Sequence, residues 1–374
     1  MGARLAAISA ALLFAAGAAA AQPVPGGPLP SDGYFETTEA VAPHVWVIRQ
    51  AQPFHLQPIG NVAVIEQTDG LVLVDTGGSP GSGRRIVGLV RGLSAKPVKA
   101  VVITHWHGDH PLGLPEILKA WPGARVIATA ATRAHLSDPK TMNTPGRPDA
   151  AANAAMLDRY RAVIPAAARM QAGAKDDRSR AGWAALSRLF TRYVQDMDGA
   201  LTLTPSEAFQ DRLALPDRVA PAQALFLGRA NTDGDALVWL ARQRILITGD
   251  VVVAPIPFGY GSYPAEWQAV LAKVRAYPFK VLIPGHGAPQ RDRAYVDRLD
   301  ALLGDVRREV APLARQGLTL EQVQSKVTLE AEARSFVGED PWLRRWFDEY
   351  WTRPIVADAY KEARGEPIVQ SLGG

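Results

Sequence analysis

The feature that most constrains this chain is a polar stretch at residues 104–110 that directly follows an apolar run. The stretch reads Thr-His-Trp-His-Gly-Asp-His, and residues 100–103 before it read Ala-Val-Val-Ile. The β-branched run predicts a buried strand, so the stretch begins where a strand ends and a loop starts, a usual place for functional residues. It holds three of the seven histidines of the chain, which disfavours a chance cluster of surface histidines.

The spacing within this stretch indicates two neighbouring metal positions. His105 and His107 are two residues apart, so their side chains point the same way from an extended backbone. The glycine that follows allows the chain to turn and to direct Asp109 and His110 towards a second point. Imidazole and carboxylate together suit zinc and its first-row neighbours, and a chain without cysteine must bind zinc through nitrogen and oxygen. We call residues 104–110 the metal motif.

The metal motif resembles the signature of the metallo-β-lactamase superfamily, and three further segments match the same family in order. They are Asp75 after one apolar strand, Thr248-Gly249-Asp250 after another, and Pro284-Gly285-His286-Gly287 after a third. The resemblance covers about residues 36–290 and implies an α/β fold, the four-layer αβ/βα metallo-β-lactamase sandwich. It also implies that Asp250 bridges two metals, that His286 is the last ligand, and that Asp75 holds the motif loop.

Asp75 can also be interpreted from the residues around it. Its carboxylate stands just before a Gly-Gly turn, where it can accept backbone N–H bonds and can orient a ligand histidine through that histidine's free ring nitrogen. A simple turn aspartate is the alternative interpretation.

Asn231 marks the point where the sequence departs from the family. Most members carry a histidine in the corresponding loop, which completes the first metal site, but this loop reads Gly-Arg-Ala-Asn-Thr. An amide oxygen is neutral and is a poor donor to zinc beside imidazole. The first site would keep His105 and His107, with Asp250 as a bridge. The second site keeps its complete ligand set: Asp109, His110, Asp250 and His286.

Three interpretations of this departure are open. The chain is a two-metal enzyme with Asn231 as a weak or water-mediated ligand, a one-metal enzyme that uses the second site, or a metal-binding protein with little catalysis. His55, in a loop rich in proline and glutamine, is a further candidate for a metal or substrate contact. Tyr260, in the glycine-rich loop after Asp250, is a candidate substrate contact, with loop packing as its alternative.

The N-terminal residues predict export. Arg4 precedes an Ala- and Leu-rich run over residues 5–21, which ends in three alanines before Gln22. The run is short for a membrane span, so we expect cleavage near Ala21 and a periplasmic or secreted mature protein with no membrane span, with a retained anchor as the alternative. Without cysteine there are no disulfides, so packing and metal must hold the protein together.

The rest of the chain divides into segments by composition and periodicity. In order, we expect a signal peptide at 1–21, a Pro/Gly-rich linker at 22–35, the metallo-β-lactamase-like domain at 36–290 with a helical insertion at 132–215, and a C-terminal helical extension at 291–374. The insertion either caps one side of a cleft or only packs. The aromatic spacing of residues 340–360 predicts a helix stripe that faces the core.

These features predict an exported metal-dependent hydrolase. One or two zinc ions, or another first-row divalent metal, would provide a metal-bound hydroxide as nucleophile, with Asp109 orienting the water and moving its proton. The chain has no Gly-x-Ser-x-Gly element and no P-loop, so no separate nucleophile is apparent.

The net charge of the chain and the predicted class of hydrolase indicate a small-molecule substrate. With 41 basic and 37 acidic residues the net charge is +4, which disfavours a nucleic-acid partner. We expect a substrate of the ester, lactone, amide or β-lactam type. The alternative is a non-catalytic metal-binding or ligand-sensing protein on the same fold.

Overall fold

Two β-sheets packed face to face form the centre of the fold. The computed structural model describes residues 34–50, 59–138 and 150–370. Within those residues the first sheet has seven strands, which lie side by side in chain order: β1 (Glu36–Ala42), β2 (Val45–Gln50), β3 (Val62–Glu66), β4 (Leu71–Val74), β5 (Val98–Val102), β6 (Arg125–Thr129) and β7 (Glu207–Phe209). Strands β1 to β4 pair antiparallel, and β4 to β7 pair parallel.

The second sheet has five strands in the described part of the chain. They are β8 (Arg212–Leu215), β9 (Ala222–Phe226), β10 (Ala236–Leu240), β11 (Ile245–Val253) and β12 (Val281–His286). Their spatial order is β12-β11-β10-β9-β8, with β11 and β12 parallel and the other neighbours antiparallel.

Helices cover the outer faces of both sheets. They are α1 (Pro80–Leu93), α2 (Leu114–Ala120), α3 (Ala130–Ser137), α4 (Ala150–Ala172), α5 (Asp177–Asp196), α6 (Pro264–Ala276), α7 (Ala294–Arg315), α8 (Leu320–Lys326), α9 (Glu330–Val337), α10 (Pro341–Phe347) and α11 (Arg353–Arg364). A π-turn at Asp348–Thr352 joins α10 to α11. None of the helices in the described ranges combines the length and the apolar character that a bilayer span needs.

Strand alternation explains the layers. In β3, Ala63 and Ile65 lie in the cluster between the two sheets, whereas Val62 and Val64 lie in the outer cluster with Ile86 of α1. Strands β11 and β12 alternate in the same way between the inner cluster and an outer cluster with α6 and α7. Each fully buried aliphatic side chain stabilises the fold by about 1.5–3 kcal/mol relative to exposure. The arrangement confirms the predicted four-layer αβ/βα sandwich with C-terminal helices.

The predicted helical insertion ends earlier than expected. Helices α4 and α5 form as predicted, but residues 207–215 form β7 and β8, the edge strands of the two sheets. The expectation of helix up to residue 215 is therefore wrong, because strands of three and four residues are too short to show an alternating pattern. Strand β1 and helices α6 and α9 were also not predicted from the sequence.

The folded region begins inside the predicted linker. Tyr34 is 2% exposed and its hydroxyl donates to Asp196 Oδ2 of α5 at 2.6 Å. The predicted signal peptide, residues 22–33 of the predicted linker, and His55 lie outside the described residues.

The C-terminal helices pack on the core. The Tyr295 hydroxyl of α7 donates to Val253 O at 2.6 Å, and the rings of Trp267 and Trp351 lie 5.8 Å apart. The aromatic residues of the predicted stripe that are buried are Trp342, Trp346, Phe347 and Trp351, which confirms that the stripe faces the core. The single helix expected over residues 340–360 is instead interrupted by the π-turn.

Candidate metal centre

The predicted ligands lie at or near the carboxyl ends of strands that meet at one edge of the fold. The metal motif follows β5 closely and Asp75 follows β4, and these two strands are parallel neighbours. Asp250 lies in β11 and His286 ends β12, which are also parallel neighbours. Carboxyl ends of parallel strands lie at the same edge of a sheet, and such edges commonly bind ligands. The facing sheets bring both edges together.

One ligand group joins the second half of the metal motif to the second sheet. The ligand atoms of Asp109, His110, Asp250 and His286 all lie within 4.8 Å of one another. His286 Nε2 lies 2.8 Å from Asp109 Oδ2, and His110 Nε2 lies 3.3 Å from Asp250 Oδ1. This set matches the second site expected from the sequence. The metal motif contributes one carboxylate and one imidazole, and the second sheet contributes one of each as well.

A second group shares Asp250 with the first. The ligand atoms of His105, His107 and Asp250 also lie within 4.8 Å of one another. His105 Nε2 lies 3.0 Å from His107 Nδ1 and 3.7 Å from Asp250 Oδ2. Both oxygens of Asp250 are therefore directed at ligand groups, one at each.

The donors present fit a divalent metal. Among the described residues, His110 Nε2 and Asp250 Oδ1 are buried without a hydrogen-bond partner, although they belong to polar side chains that burial normally pairs. All the ring nitrogens and carboxylates belong to the ligand types that zinc and its neighbours take. A cation placed between these atoms would satisfy them, so the residues fit the group that the fold implies.

The charges of the site are also arranged for a cation. Burial lowers the pKa of His105, and burial lowers that of His107 to about 4, so both rings are neutral and keep a lone pair at neutral pH. Burial would raise the pKa of Asp109, but the positive charge of His110 and the His286 ring nitrogen at 2.8 Å outweigh it and hold that pKa below its usual range.

His110 carries the compensating charge. Burial would lower its pKa, but Asp109, Asp250 and Asp75 together raise it well above the usual value. Burial likewise opposes ionisation of Asp250, whose pKa is nonetheless lowered by His110 and His286. Without metal, a proton on His110 therefore balances the carboxylates, and a bound divalent ion would take over that role.

Asp75 fixes the ring nitrogens that face the site. Its Oδ2 lies 2.8 Å from His110 Nδ1 and accepts the Thr104 hydroxyl at 2.8 Å. The Thr104 hydroxyl has one proton, which goes to Asp75, so it must accept from His105 Nδ1 at 3.0 Å. When the ring is neutral, the proton of His105 and of His110 is therefore on Nδ1, and Nε2 keeps the lone pair that a metal ligand needs. Asp75 lies where the sequence led us to expect a residue that orients the ligands.

Two glycines let the halves of the site approach. A Cβ on Gly60 would lie 2.5 Å from the His110 ring, and one on Gly285 would lie 1.9 Å from Asp250 Oδ1. Gly60 N also donates to Asp109 O at 2.9 Å, so the approach is held by a backbone bond. Gly60 was not predicted from the sequence, because a lone glycine before a strand gives little signal of its own.

Asn231 is fully buried, and its orientation is set by Phe258. Its Nδ2 donates to Phe258 O at 2.7 Å. Because a backbone carbonyl can only accept, the amide atom that faces Phe258 is Nδ2, and the amide atom that faces away from it is Oδ1. That Oδ1 is buried without a hydrogen-bond partner. The ring of Phe258 lies 5.7 Å from the ring of His107, so Asn231 is linked to the His105–His107 group through Phe258. Phe258 was not predicted from the sequence as a site residue.

Tyr260 lies beside Phe258, with ring centroids 5.1 Å apart, and its hydroxyl donates to Glu349 O at 3.0 Å. It is thus near the His105–His107 group, but its hydroxyl is engaged by the C-terminal helices.

The insertion helices carry two tyrosines that contact each other. The rings of Tyr160 of α4 and Tyr193 of α5 meet edge to face at 5.1 Å, and the Tyr193 hydroxyl donates to Gly78 O at 3.1 Å. Burial raises the pKa of both phenols, and the negative charge of Asp109 adds to the effect. Both hydroxyls stay protonated at neutral pH.

The known proteins that this chain resembles include alkylsulfatases and a metallo-beta-lactamase. A linear primary-alkylsulfatase from Pseudomonas sp. (strain ATCC 19151) is 26% identical over 329 residues, which cover 82% of this chain and 56% of the relative. The solved structure of a stereoselective inverting sec-alkylsulfatase from Pseudomonas sp. matches with a TM-score of 0.58 at 19% identity, covering 85% of this chain and 50% of that one. The chain thus spans about half the length of the alkylsulfatases that it matches.

A metallo-beta-lactamase from Pontibacter korlensis matches with a TM-score of 0.48 at 19% identity, covering 72% of this chain and 99% of that one. The model of the metallo-beta-lactamase superfamily matches residues 57–286, which include every residue of the two ligand groups. This chain belongs to the metallo-β-lactamase superfamily.

Proposed function

We propose that this chain is a metal-dependent hydrolase that binds zinc at the two ligand groups and cleaves an ester-type bond in a small molecule. The observation that carries the proposal is the pair of ligand groups that share Asp250, in which His110 Nε2 and Asp250 Oδ1 lie 3.3 Å apart and are buried without a hydrogen bond. When bound, a divalent metal supplies Lewis acidity, which makes water a stronger nucleophile and polarises the bond that is cleaved.

The residues of the chain take distinct roles in this proposal. Asp109, His110, Asp250 and His286 hold the second site, and His105, His107 and Asp250 hold the first, with Asn231 Oδ1 as a weak donor. The Asp109 side chain is 23% exposed, against 4% for Asp250. It is ionised at neutral pH because its pKa is lowered, so it can orient an attacking water and accept its proton for transfer to the leaving group.

The substrate class that we propose first is a sulfate ester of an apolar alcohol. The alkylsulfatase relative is similar over most of this chain, which supports a sulfate ester. The apolar ring of Phe258 beside His107 supports an apolar group next to the first site. Carboxylic esters, lactones, amides and β-lactams are the further members of the panel to be tested.

The first experiment is elemental analysis of the purified protein beside an Asn231→His variant. We expect zinc in the native protein and tighter binding of the first ion in the variant, because imidazole is a better zinc donor than an amide. About two ions per chain in the native protein would support Asn231 as a ligand, and about one would support use of the second site alone. No metal in either protein after zinc is added would refute the proposal.

The second experiment measures initial rates on the substrate panel with metal-depleted and zinc-restored protein. We expect zinc to restore turnover of an ester, and Asp109→Asn to lower kcat by about 100-fold or more. Zinc binding without turnover of any class in the panel would favour the alternative, a metal-binding or ligand-sensing protein in which Asn231 marks the loss of activity.

We also propose that the protein is exported after cleavage near Ala21, as the N-terminal sequence predicts. N-terminal sequencing of protein from a periplasmic or culture fraction is expected to begin at Gln22. A chain that retains Met1 would contradict this proposal.

A further inference from the structure

The loop that follows β11 touches the first ligand group and contains no ligand itself. We call residues 258–263 the Phe258 loop. Its first residue places its ring 5.7 Å from the His107 ring and accepts the Asn231 amide at 2.7 Å. The position of this loop therefore determines where the Asn231 side chain points, and the loop is the outer neighbour of His107.

The π-turn of the C-terminal extension holds the start of this loop. Tyr350 O accepts Gly259 N at 2.8 Å, and Glu349 O accepts the Tyr260 hydroxyl at 3.0 Å. In the π-turn the Arg353 N–H bonds back to Asp348 O, five residues earlier, rather than four as in an α-helix. The usual helical donors of these two carbonyls are therefore missing: Arg353 N–H goes to Asp348 O instead of Glu349 O, and Pro354, four residues after Tyr350, has no N–H.

Helix α11 holds the end of the loop. Asp358 Oδ2 accepts Ser262 N at 2.8 Å, and Glu362 Oε2 accepts Ala265 N at 2.8 Å. These N–H groups lie at the start of α6, where Tyr263 is the N-cap residue and supplies no side-chain bond. The C-terminal extension thus caps a helix of the core from outside, and acidic side chains suit that position.

Gln370 connects the loop to the metal motif directly. Its Oε1 accepts Trp106 Nε1 at 3.1 Å, and its Nε2 donates to Gly261 O. Trp106 stands between the two first-site histidines in the sequence, and its side chain is fully buried. Its ring centroid lies 4.6 Å from that of His107. Because an indole N–H only donates and a carbonyl only accepts, both ends of this amide are fixed, so Gln370 ties the motif and the loop at a set distance.

We propose that the C-terminal extension positions the first metal site by holding the Phe258 loop against His107 and Asn231, with Gln370 as the positioning residue. The inference rests on the metal binding proposed above. The first site has two imidazoles and a shared carboxylate, and its remaining donor is a neutral amide, so its affinity depends on how well that amide is held. Contacts that orient a ligand without touching the metal typically change affinity by about 10–100-fold.

The test compares Gln370→Ala with two related variants. Gln370→Ala removes both bonds of the amide. Gln370→Glu keeps an acceptor for Trp106 but places a carboxylate oxygen against Gly261 O, so it separates the two bonds. Gln322→Ala is the matched control, because Gln322 Oε1 accepts the Thr319 N–H at 2.9 Å within the same extension. The readouts are stepwise cobalt affinity, the cobalt absorption spectrum and the melting temperature.

For Gln370→Ala we expect about tenfold weaker binding at one of two ions and a changed cobalt absorption band, with the other ion unaffected. Gln370→Glu is expected to behave in the same way, because the link to the loop is lost. Gln322→Ala is expected to lower the melting temperature slightly and to leave cobalt binding as in the native protein.

The outcomes separate this inference from the proposed function. If the native protein binds cobalt and Gln370→Ala binds it with the same affinities and spectrum, the positioning role is overturned and the metal-dependent function stands. A lower melting temperature with unchanged cobalt binding overturns it in the same way, since that is a purely structural role. If the native protein binds no cobalt or zinc, both proposals fail.

Discussion

Asp75 accepts hydrogen bonds from two directions and thereby sets two ligand histidines at once. Its carboxylate accepts Thr104 N and the Thr104 hydroxyl, and it lies 2.8 Å from His110 Nδ1. It does so from a backbone φ of +65°, which is uncommon for a residue other than glycine and is tolerated best by Asn and Asp. At the scale of the residue, a substitution by asparagine can therefore keep the backbone conformation of position 75 and remove its charge.

Asp75→Asn is expected to weaken zinc binding by about 10–100-fold with little change in the backbone. Asparagine tolerates the positive φ, but its neutral amide cannot accept from all three donors. Zinc affinity is measured by competition with a chelator, with circular dichroism to check the fold. Asp69→Asn, at a side chain that is 77% exposed in a turn, is the control. Equal affinities in Asp75→Asn and the native protein would contradict the role.

Helix α11 shows at the scale of an element how the extension is built into the core. Asp358 is 3% exposed and its pKa is raised to about 6, chiefly by burial. In the unfolded chain an aspartate titrates at about 3.9. The folded state therefore holds this proton more tightly, so the contribution of this carboxyl to the free energy of unfolding is greatest below about pH 4, falls between about pH 4 and 6, and is level above.

Asp358→Asn is expected to remove that loss while keeping an acceptor for Ser262 N. A pKa difference of about two units between the folded and unfolded states corresponds to about 3 kcal/mol. The free energy of unfolding of the variant, relative to that of the native protein, should therefore rise by up to that amount from pH 4 to pH 7. Urea unfolding of metal-free protein at several pH values measures it. Asp211→Asn, at an exposed residue, should show no such trend. If the difference in unfolding free energy between Asp358→Asn and the native protein does not change with pH, the raised pKa of Asp358 is contradicted.

At the scale of the whole molecule, the core domain and the extension share one hydrophobic cluster. That cluster contains residues of β11 and β12, of α6, and of the insertion and C-terminal helices together. The extension was expected from the sequence as a separate segment from residue 291, yet it covers the outer face of the second sheet.

A chain that ends at residue 290 is therefore expected not to fold, because it would expose Trp267 and the rest of the α6 face that the extension buries. Near-ultraviolet circular dichroism and limited proteolysis measure this. A chain that ends at residue 366 retains α11 and is expected to unfold cooperatively, which makes it the control. Cooperative unfolding of the shorter chain would show that the core is independent of the extension.

The sequence by itself determined the metal motif and most strands, because these depend on signals within short windows: β-branched runs, paired histidines and glycine turns. The fold class and the ligand roles of Asp250 and His286 were expected because the segments resemble the motifs of the metallo-β-lactamase superfamily in the same order.

Tertiary structure alone decided how those segments meet. The sharing of Asp250 between two groups, the orientation of Asn231 by Phe258, and the link from Gln370 to Trp106 join residues far apart in the chain. Such contacts leave no periodic signal, because they depend on the packing of both sheets and of the C-terminal helices. The edge strands β7 and β8 were missed for a related reason: only their pairing with a neighbour, and not their own residues, makes them strands.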